Sequence, residues 1–401
     1  MRKPTLTSRP RKRRPAFRKT PSWNVDVFWT VGMLLVMLLA GSLPAAEPPV
    51  WRSGWASMGK PEETIACARE IGFNALIFHG PVERMKQWSA MTKAAGIESY
   101  CWFSPIVPDK DADLAPLAQV MSAEDEAALQ KLRTAEDPKK GGYQFGGEPL
   151  PARRDPASPD HDVLQARLLC FHRPETIAWC RKQIAEMLTA CPDLTGVGLD
   201  FFGYQNYRCC RCPRSLELFD AYREQHPDVP REQALEQFSR DTLVETINEL
   251  SRYARGVRPG VKVTIHVYPT FLPEPVYGWR LDVDTCCETV AWFFEPYWSA
   301  DKIADHTRRV IQRTGSPFPG ARGVPFFGLY VGRPNADKPP ERLAEELAII
   351  RQHAGLSALS VCSFDEFVKH EAMRRVMKEA LADHSAAGKT GKLVPAWRPL
   401  R

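Results

Sequence analysis

The hydrophobic residues of this chain are grouped in eight short runs between Trp51 and about His384. Each run is followed by a stretch with the periodicity of an amphipathic helix. Strands that alternate with helices in this way pair in parallel, either around a closed barrel or in an open sheet. An open sheet would need a glycine-rich phosphate turn after its first strand, and Gly54 and Gly59 do not form one. The pattern therefore predicts an α/β fold of the (β/α)8 TIM barrel type.

The predicted strands follow the apolar runs. They cover residues 52–57, 74–78, 97–103, 196–201, 262–268, a sixth segment that ends at Glu295, 324–330 and 359–364. The first predicted helix is bounded by Pro61 and Gly72. Proline fits the first turn of a helix, and glycine fits the position just after the last turn.

The regular alternation is interrupted at residues 104–167, which are rich in proline, glycine and charged side chains. A connection this long is uncommon in a compact domain, and after the third strand of a barrel it would lie at the mouth. It is interpreted as a long insertion with one helix near 123–134, which either covers the substrate or forms a disordered surface loop. The barrel is predicted to span 47–385, and the tail 386–401 is predicted to be loose.

Residues 1–46 have the layout of an export signal. A basic segment precedes an apolar core at 27–43, and small residues follow at 45–46. Cleavage after Ala46 would release a signal peptide, whereas an uncleaved core is about long enough for one membrane anchor. We therefore expect an exported protein, either periplasmic or secreted, or else attached to the membrane through residues 27–43 alone.

The formal charge of +6 arises in this leader. Nine of the 54 basic residues but only one of the 48 acidic residues precede residue 47, which leaves 45 basic and 47 acidic residues and a charge of −2 for the body. Nucleic-acid binding needs a basic face. The composition therefore predicts no nucleic-acid partner.

Two of the predicted strands end in a carboxylate. The fourth, GVGLD, ends in Asp200, and the sixth, which closes on WFFE, ends in Glu295. The strand ends of a barrel meet at one mouth, so the two acids would lie there among many aromatic residues. Glycoside hydrolysis uses one carboxyl that protonates the leaving oxygen and a second that attacks the sugar or activates water. The sequence therefore predicts cleavage of a glycosidic bond, with Asp200 as nucleophile or base and Glu295, among apolar neighbours, as general acid.

Each of these residues also has a structural interpretation. Asp200 could cap the next turn or pair with an arginine, and Glu295 could pair with a basic residue at the barrel rim. Asp365 and Glu366 follow the eighth strand and compete with Glu295 for the acid role, but Asp365 could equally cap the helix that follows it. The substrate-binding candidates near the other strand ends, whose alternative role is barrel packing, are His79, Trp102, Tyr204, Tyr268, Trp298, Tyr330, Asp365 and Glu366.

One region also resembles a known family. Residues 170–175, CFHRPE, and 195–204, TGVGLDFFGY, resemble the glycosyl-hydrolase-like (β/α)8 barrels of exported bacterial proteins. That family carries a Pro-Glu helix start, then a strand that ends in an acid and is followed by a tyrosine. The alternation of strands and helices resembles the family over about residues 50–384, whereas the sequence motif itself matches only within 170–220. Thr195 stands where the family usually has an aspartate. It implies a carbohydrate substrate and assigns Asp200 as the catalytic or substrate-binding acid.

All 11 cysteines lie in the body of the chain. In an exported protein some are expected to form disulfides. Cys209, Cys210 and Cys212 follow the fourth strand, and the spacing of Cys209 and Cys212 is typical of zinc and redox sites. Their position is also similar to the zinc cluster of family 42 β-galactosidases, Cys-x-Cys-x-x-Cys, with Ser215 in place of the last cysteine. Disulfide, metal site and free thiols all remain open from the sequence.

Two further functions fit the same pattern. A barrel that kept the aromatic mouth but lost the chemistry would bind carbohydrate without cleaving it. His79, His266 and Asp200 could instead hold a metal ion in a metal-dependent hydrolase. The chain has no Walker loop, HExxH, GxSxG or dinucleotide-binding motif, so the sequence predicts no cofactor.

Overall fold

The computed structural model describes most of the chain between residues 49 and 387. The described residues are 49–56, 59–108, 111–134, 166–267, 277–295, 297–312, 317–318, 321–333 and 336–387. The predicted leader 1–46, about half of the predicted insertion, Tyr268 and residues 388–401 lie outside them.

Eight parallel strands form a closed barrel in chain order, and the last pairs with the first. The fold predicted from the apolar runs, a (β/α)8 TIM barrel, is confirmed. The strands are β1 Trp51–Ala56, β2 Ala75–Phe78, β3 Glu98–Phe103, β4 Gly196–Leu199, β5 Lys262–Val267, β6 Thr285–Ala291, β7 Arg322–Gly328 and β8 Ala358–Cys362.

Helices follow the strands and carry apolar faces that pack on the barrel. They are α1 Pro61–Ile71, α2 Val82–Ala94, α3 Ala123–Thr134, α4 Pro174–Ala190, α5 Pro213–Gln225, α6 Arg231–Val257, α7 Ala300–Gln312, α8 Pro340–Ala354, α9 Asp365–Lys369 and α10 Glu371–Ala387. Helix α10 includes residues 386 and 387, the first two residues of the tail that the sequence predicts to be loose. In the described part of the chain, no helix is both long and apolar enough to cross a membrane.

Helix α1 shows how the local sequence sets an element. Pro61 occupies its first turn, and Gly72 follows its last residue with φ 80°. In this left-handed conformation, which glycine adopts at little cost, the Gly72 N–H points back at the carbonyl oxygens of Ala68 and Arg69. The first helix therefore begins and ends where proline and glycine predict.

The interior of the barrel contains a tryptophan surrounded by small polar side chains. Trp55 on β1 donates its Nε1–H to Ser360 Oγ at 3.1 Å, and Ser360 Oγ lies 2.8 Å from Ser53 Oγ. Gly198 on β4 makes room for this ring, because a Cβ there would lie 3.4 Å from Trp55 Cη2 and only 2.7 Å from Ile77 Cγ2. The glycines of the GVGL strand thus have a packing role.

The sixth strand ends earlier than the sequence indicates. The register between β6 and β7 shifts between Thr289 and Ala291, and regular pairing stops at Ala291. Trp292, Phe293 and Phe294 are buried without being part of the strand. The apolar run therefore continues past the strand as buried loop, and the prediction that β6 ends at Glu295 is wrong.

The two ends of the connection between β3 and α4 pair with each other through backbone hydrogen bonds. The N–H of Val107 donates to the carbonyl of Arg167 at 2.8 Å, and the N–H of Leu169 donates to Pro105 at 2.9 Å. A second antiparallel bridge joins Ala118 to Leu169. Helix α3 occupies the residues where the sequence predicts a helix. Residues 109–110 and 135–165 of this connection lie outside the described residues.

Candidate active site at the barrel mouth

Asp200 directly follows β4 at the mouth of the barrel. Its backbone N–H donates to the carbonyl of Phe103 at 3.0 Å, which continues the pairing of β3 and β4 by one residue. Its side chain turns back so that Oδ1 accepts the N–H of Phe201 at 2.9 Å. Phe201 has φ 58°, a left-handed conformation that costs a non-glycine residue on the order of 1–3 kcal/mol. The chain therefore bends sharply just after this acid, and Asp200 is 2% exposed.

His266 on β5 is the second polar group at this point. Its Nδ1 lies 3.2 Å from Asp200 Oδ1, and its Nε2 lies 2.9 Å from Thr289 Oγ1 on β6. Its ring stacks on Phe326 of β7 with a centroid separation of 3.8 Å. Contacts on both edges and on one face hold this imidazole in a single orientation towards the Asp200 carboxylate.

Aromatic rings line one side of the mouth. Trp102, at the end of β3, packs edge-on against Trp55 at 5.1 Å, and the exposed His79 lies beside Trp102 at 6.4 Å. Trp55 in turn contacts His266 at 6.1 Å. Although His79 is exposed at the surface, partial desolvation by its neighbours, followed by the charge of Arg84, lowers its pKa. The structure thus places His79 and Trp102 in a row of rings that leads to Asp200.

Tyr330 lies on the opposite side, after β7. Its ring lies 5.8 Å from Phe293, which lies 6.3 Å from His266. The Arg333 guanidinium covers Tyr330 at 4.1 Å and donates to Glu366 Oε1 at 3.2 Å. Glu366 also lies 3.3 Å from His370. The structure therefore places Tyr330 at the mouth, whereas two basic side chains engage Glu366.

The end of β8 brings a second carboxylate towards Asp200. Burial raises the pKa of the Cys362 thiol, and the negative charges of Asp200 and Asp365 raise it further. Both carboxylates therefore act electrostatically on this one thiol. Asp365 is 2% exposed, and its Oδ2 accepts the hydroxyl of Ser363 at 3.1 Å. Asp365 is the first residue of α9, and its backbone N–H donates to Ser363 Oγ at 3.2 Å.

Glu295 lies four residues beyond β6 and is exposed. Its charge, together with burial, raises the pKa of Tyr297. Trp298 is 3% exposed because it stacks on Trp292 at 5.8 Å, and Lys302 Nζ covers it at 4.1 Å. Trp298 therefore belongs to the core of this loop and has no free face for a sugar.

Tyr204, a substrate-binding candidate from the sequence, is also buried. It is 1% exposed, and its hydroxyl donates to the carbonyl of Ser239 in α6 at 3.3 Å. It therefore ties the loop after β4 to a helix. Tyr268 lies outside the described residues, so its predicted role stays a prediction.

Lys338 was not identified from the sequence, although it supports two sides of the mouth. It is fully buried, and its Nζ donates to the carbonyls of Trp292 at 3.0 Å and Gly328 at 2.6 Å. Its charge is paired with Glu346 Oε2 at 2.7 Å. Lys338 therefore joins the ends of β6 and β7. Sequence gives no signal for this role, because a lysine after a glycine-rich turn normally lies at the surface.

The cysteine cluster differs from the one that sequence spacing indicates. The sulphur atoms of Cys170, Cys210 and Cys212 all lie within 4.8 Å of one another, and Cys209 is not part of the group. All eleven cysteines have free thiols, so the expected disulfides are not formed in this structure. A hydrogen bond with Cys170, together with bonds from backbone N–H groups, lowers the pKa of the Cys210 thiol. Cys170 was missed because it lies 40 residues earlier in the chain.

The metal-dependent alternative with His79, His266 and Asp200 is not supported by the geometry. Among the residues that the structure describes, the three cysteines form the only group of three or more possible metal ligands found within 4.8 Å. His79 is exposed beside Trp102, whereas His266 and Asp200 are buried in direct contact. The two histidines therefore do not converge on one ion.

No family model and no curated protein matches this sequence. The PgaB (BpsB) glycoside hydrolase domain from Bordetella bronchiseptica aligns with a TM-score of 0.52 and 13% identity over 82% of this chain and 99% of that one. The β-galactosidase of Halorubrum lacusprofundi aligns with a TM-score of 0.54 and 12% identity over 84% of this chain, and that of Rahnella sp. R3 with 0.53 and 12% over 86%. The chain spans 58% of each β-galactosidase. The chain therefore shares its fold, an eight-stranded parallel barrel with surrounding helices, with solved glycoside hydrolases.

Proposed function

We propose that this protein is a glycoside hydrolase that cleaves an O-glycosidic bond in a poly- or oligosaccharide at the mouth of the barrel. The observation that carries the proposal is the position of Asp200. This carboxylate follows a barrel strand, is oriented by His266 at 3.2 Å, and lies at the end of a row of aromatic rings that includes Trp102. Catalytic residues of TIM-barrel enzymes lie at this end of the strands. The fold shared with glycoside hydrolases agrees with this proposal.

Asp200 is assigned the role of nucleophile or base. The Phe201 N–H donates a hydrogen bond to Oδ1 at 2.9 Å, which fixes the direction of the carboxylate. The other oxygen, Oδ2, has no hydrogen-bond partner among the described residues. An ionised carboxylate with one oxygen fixed and the other available suits attack on an anomeric carbon or activation of a water molecule.

Glu295 is assigned as the general acid, and Asp365 is the competing candidate. Glu295 is exposed, so a substrate can reach it, whereas Asp365 is buried beside Ser363. Asp365, however, lies close enough to Cys362 to share its environment with Asp200. A retaining enzyme would have its two carboxyls ~5 Å apart, and an inverting enzyme ~6.5–9.5 Å apart. The anomer of the first product, measured by NMR, distinguishes the two mechanisms.

A second candidate function is carbohydrate binding without cleavage. The observation that favours it is the 2% exposure of Asp200, since a substrate must contact this carboxylate for chemistry to occur. A barrel with a buried, fully oriented acid would still present Trp102 and Tyr330 to a sugar. The carbohydrate partner is common to both proposals.

One set of variants separates these functions. Purified protein is incubated with a broad panel of oligo- and polysaccharides, and new reducing ends are measured. We expect Asp200→Asn to lose turnover by at least about 10³-fold while glycan binding persists, because only the charge that chemistry requires is removed.

Glu295→Gln and Asp365→Asn are compared in the same assay, and the larger loss of kcat identifies the general acid. Asp220→Asn and Glu371→Gln, both exposed, serve as matched controls. If the parent protein binds a glycan but cleaves none of the panel, the enzyme assignment is wrong.

Export is part of the proposal. The basic segment, apolar core and small residues of 1–46 support either a cleaved signal peptide or a single anchor. Expression of the full chain followed by fractionation and intact mass measurement tests both. A mature chain that begins at Glu47 identifies the signal peptide, and an uncleaved chain in the membrane fraction identifies the anchor. An uncleaved chain in the cytoplasm contradicts export.

A further inference from the structure

The strongest unassigned feature of the molecule is the buried cluster of Cys170, Cys210 and Cys212. The Sγ atoms of Cys170 and Cys212 are 3.7 Å apart. A disulfide requires about 2.05 Å, so these atoms are not bonded. Two thiolates at ~2.3 Å from one tetrahedral zinc ion lie about 3.8 Å apart. The observed separation is therefore that of two ligands of a single tetrahedral ion.

The hydroxyl of Ser215 lies against the same sulphur atoms. Its Oγ is 3.5 Å from Cys170 Sγ and 3.1 Å from Cys212 Sγ. An oxygen ligand at ~2.0 Å from zinc lies about 3.5 Å from a thiolate on the same ion. The sulphur atoms of Cys170 and Cys212 and the oxygen of Ser215 are thus spaced much as three ligands of one ion, and Cys210 Sγ lies within 4.8 Å of both other sulphur atoms.

His172 fixes the direction of the Ser215 hydroxyl. Thr242 donates its only hydroxyl hydrogen to the carbonyl of Phe238 at 2.9 Å, so it must accept a hydrogen bond from His172 Nε2, also at 2.9 Å. The neutral imidazole that donates from Nε2 carries no hydrogen on Nδ1, so Nδ1 accepts the Ser215 hydroxyl at 2.7 Å. The oxygen lone pairs of Ser215 are then directed away from His172 and available to the cluster.

The backbone is arranged to stabilise negative charge on the sulphur atoms. The N–H groups of Val120 and Cys212 point at Cys210 Sγ at 3.4 and 3.5 Å, and that of Ser215 points at Cys212 Sγ at 3.4 Å. Cys212 also precedes the first turn of α5, where the helix dipole favours an anion. Amide-to-sulphur bonds of this kind orient and stabilise metal-bound thiolates.

We propose that Cys170, Cys210 and Cys212 bind one zinc ion, and that Ser215 Oγ, hydrogen-bonded to His172, supplies the fourth ligand. Three soft thiolates in a tetrahedral arrangement select zinc over magnesium and calcium. The ion joins the segment before α4, which contains Cys170, to the loop after β4 and the first turn of α5, which contain Cys210, Cys212 and Ser215. Its role is structural, because all four ligands are buried and come from the protein. This inference does not depend on the proposed glycosidase activity.

The first test uses the full chain without substitution. After purification with a reductant and zinc, elemental analysis is expected to find about one zinc per chain. Exchange for Co²⁺ is expected to give the intense visible bands of a tetrahedral ion and a thiolate-to-cobalt charge-transfer band that corresponds to three thiolates. Absence of bound zinc with the thiols reduced, or a Cys170–Cys212 disulfide in peptide mapping of the unreduced protein, overturns the proposal.

Variants test the ligand set. Cys170→Ser and Cys210→Ser are expected to lose the ion, whereas Cys209→Ser, a buried neighbour outside the cluster, is expected to retain it. Ser215→Cys is expected to strengthen charge transfer by about one third, because four thiolates replace three. This variant gains a signal, so misfolding cannot imitate the expected result.

The Ser215 and His172 roles have their own readout. Ser215→Ala and His172→Phe are each expected to weaken zinc affinity, measured by competition with a chelator, by about 10–100-fold while the three-thiolate band remains. If Ser215→Ala binds zinc with undiminished affinity, the assignment of Ser215 Oγ as a ligand is wrong and another group occupies the fourth position. Undiminished affinity in His172→Phe overturns the role of the imidazole.

Discussion

His266 Nδ1 lies 3.2 Å from Asp200 Oδ1, and both side chains are almost completely buried. The histidine is itself held by Thr289 and by the face of Phe326. Orientation of the acid therefore depends on three strands that follow it in the chain. This arrangement makes His266 a positioning residue for the carboxylate in the proposed reaction.

Replacement of His266 by phenylalanine is expected to lower kcat by about 10–100-fold, because a hydrogen bond to a charged group contributes ~1.5–3 kcal/mol. KM should change little, since His266 is buried below the surface that meets the sugar. The measurement is a pH–rate profile in parallel with thermal unfolding, and the limb that reports the ionised acid should move. Thr289→Val, which removes only the second contact, should give a smaller loss. An unchanged kcat with an unchanged limb would contradict the positioning role.

Gly198→Ala tests the packing of Trp55 inside the barrel. A Cβ at Gly198 would lie 2.7 Å from Ile77 Cγ2 and 3.4 Å from Trp55 Cη2, so the neighbouring side chains would have to shift. We expect the free energy of unfolding to fall by about 1–3 kcal/mol in urea titration. Gly256→Ala, in α6 where a Cβ meets nothing within 4 Å, should instead stabilise by about 0.5–1 kcal/mol. Equal effects at both glycines would show that Trp55 does not need the space.

Lys338→Met tests the link between β6 and β7. The substitution leaves Glu346 as a buried charge with only Arg342 beside it, so unfolding free energy should fall by about 3–5 kcal/mol. The control is Lys60→Met. It breaks a surface ion pair of 2.8 Å, close to the 2.7 Å of the buried pair, and should cause no measurable change in the free energy of unfolding. A small effect of Lys338→Met would mean that the two strand ends are held by packing alone.

His306 predicts a dependence of stability on pH. Burial, with the charges of Lys302 and Arg309, lowers its pKa to about 4, whereas an unfolded histidine titrates near 6.5. The unfolded state then binds the proton first, so stability falls as the pH decreases from about 6.5 to 4 and is unaffected above that range. His306→Gln should reduce this loss by about 1–3 kcal/mol, measured as the difference between unfolding at pH 8 and pH 5. Parallel curves for the two proteins would contradict the assignment.

The sequence predicted the barrel because its signals are local and repeated. Each strand lies in one apolar run, and proline and glycine mark helix ends such as Pro61 and Gly72. The ends of strands that continue into buried loops were harder to predict from the sequence. Trp292 to Phe294 are as apolar as a strand, but the register shift after Thr289 ends the pairing first. Apolar composition reports burial, and burial continues beyond the last paired residue.

The candidate site was predictable only in part. Asp200 follows directly from its strand, and Trp102 and Tyr330 lie near it as the strand ends require. Tyr204 and Trp298 were misplaced, because a ring five to seven residues beyond a strand can turn into the core or out of it, and the sequence does not show the direction. Cys170 shows the other limit: its partners are about 40 residues away, and only the folded chain brings the sulphur atoms together.

The paired bridges at the base of the β3–α4 connection have a consequence for how this protein can vary. The chain leaves the barrel at Pro105 and re-enters at Leu169 through points joined by backbone hydrogen bonds. Such bonds do not depend on side-chain identity, so the spacing of the two legs is set at the junction itself. The near leg is also tied to the loop after β4, where Gln119 donates to the Gly203 carbonyl and the Val120 N–H points at Cys210 Sγ. Substitutions between the two legs are therefore expected to act on this loop before they act on closure of the barrel.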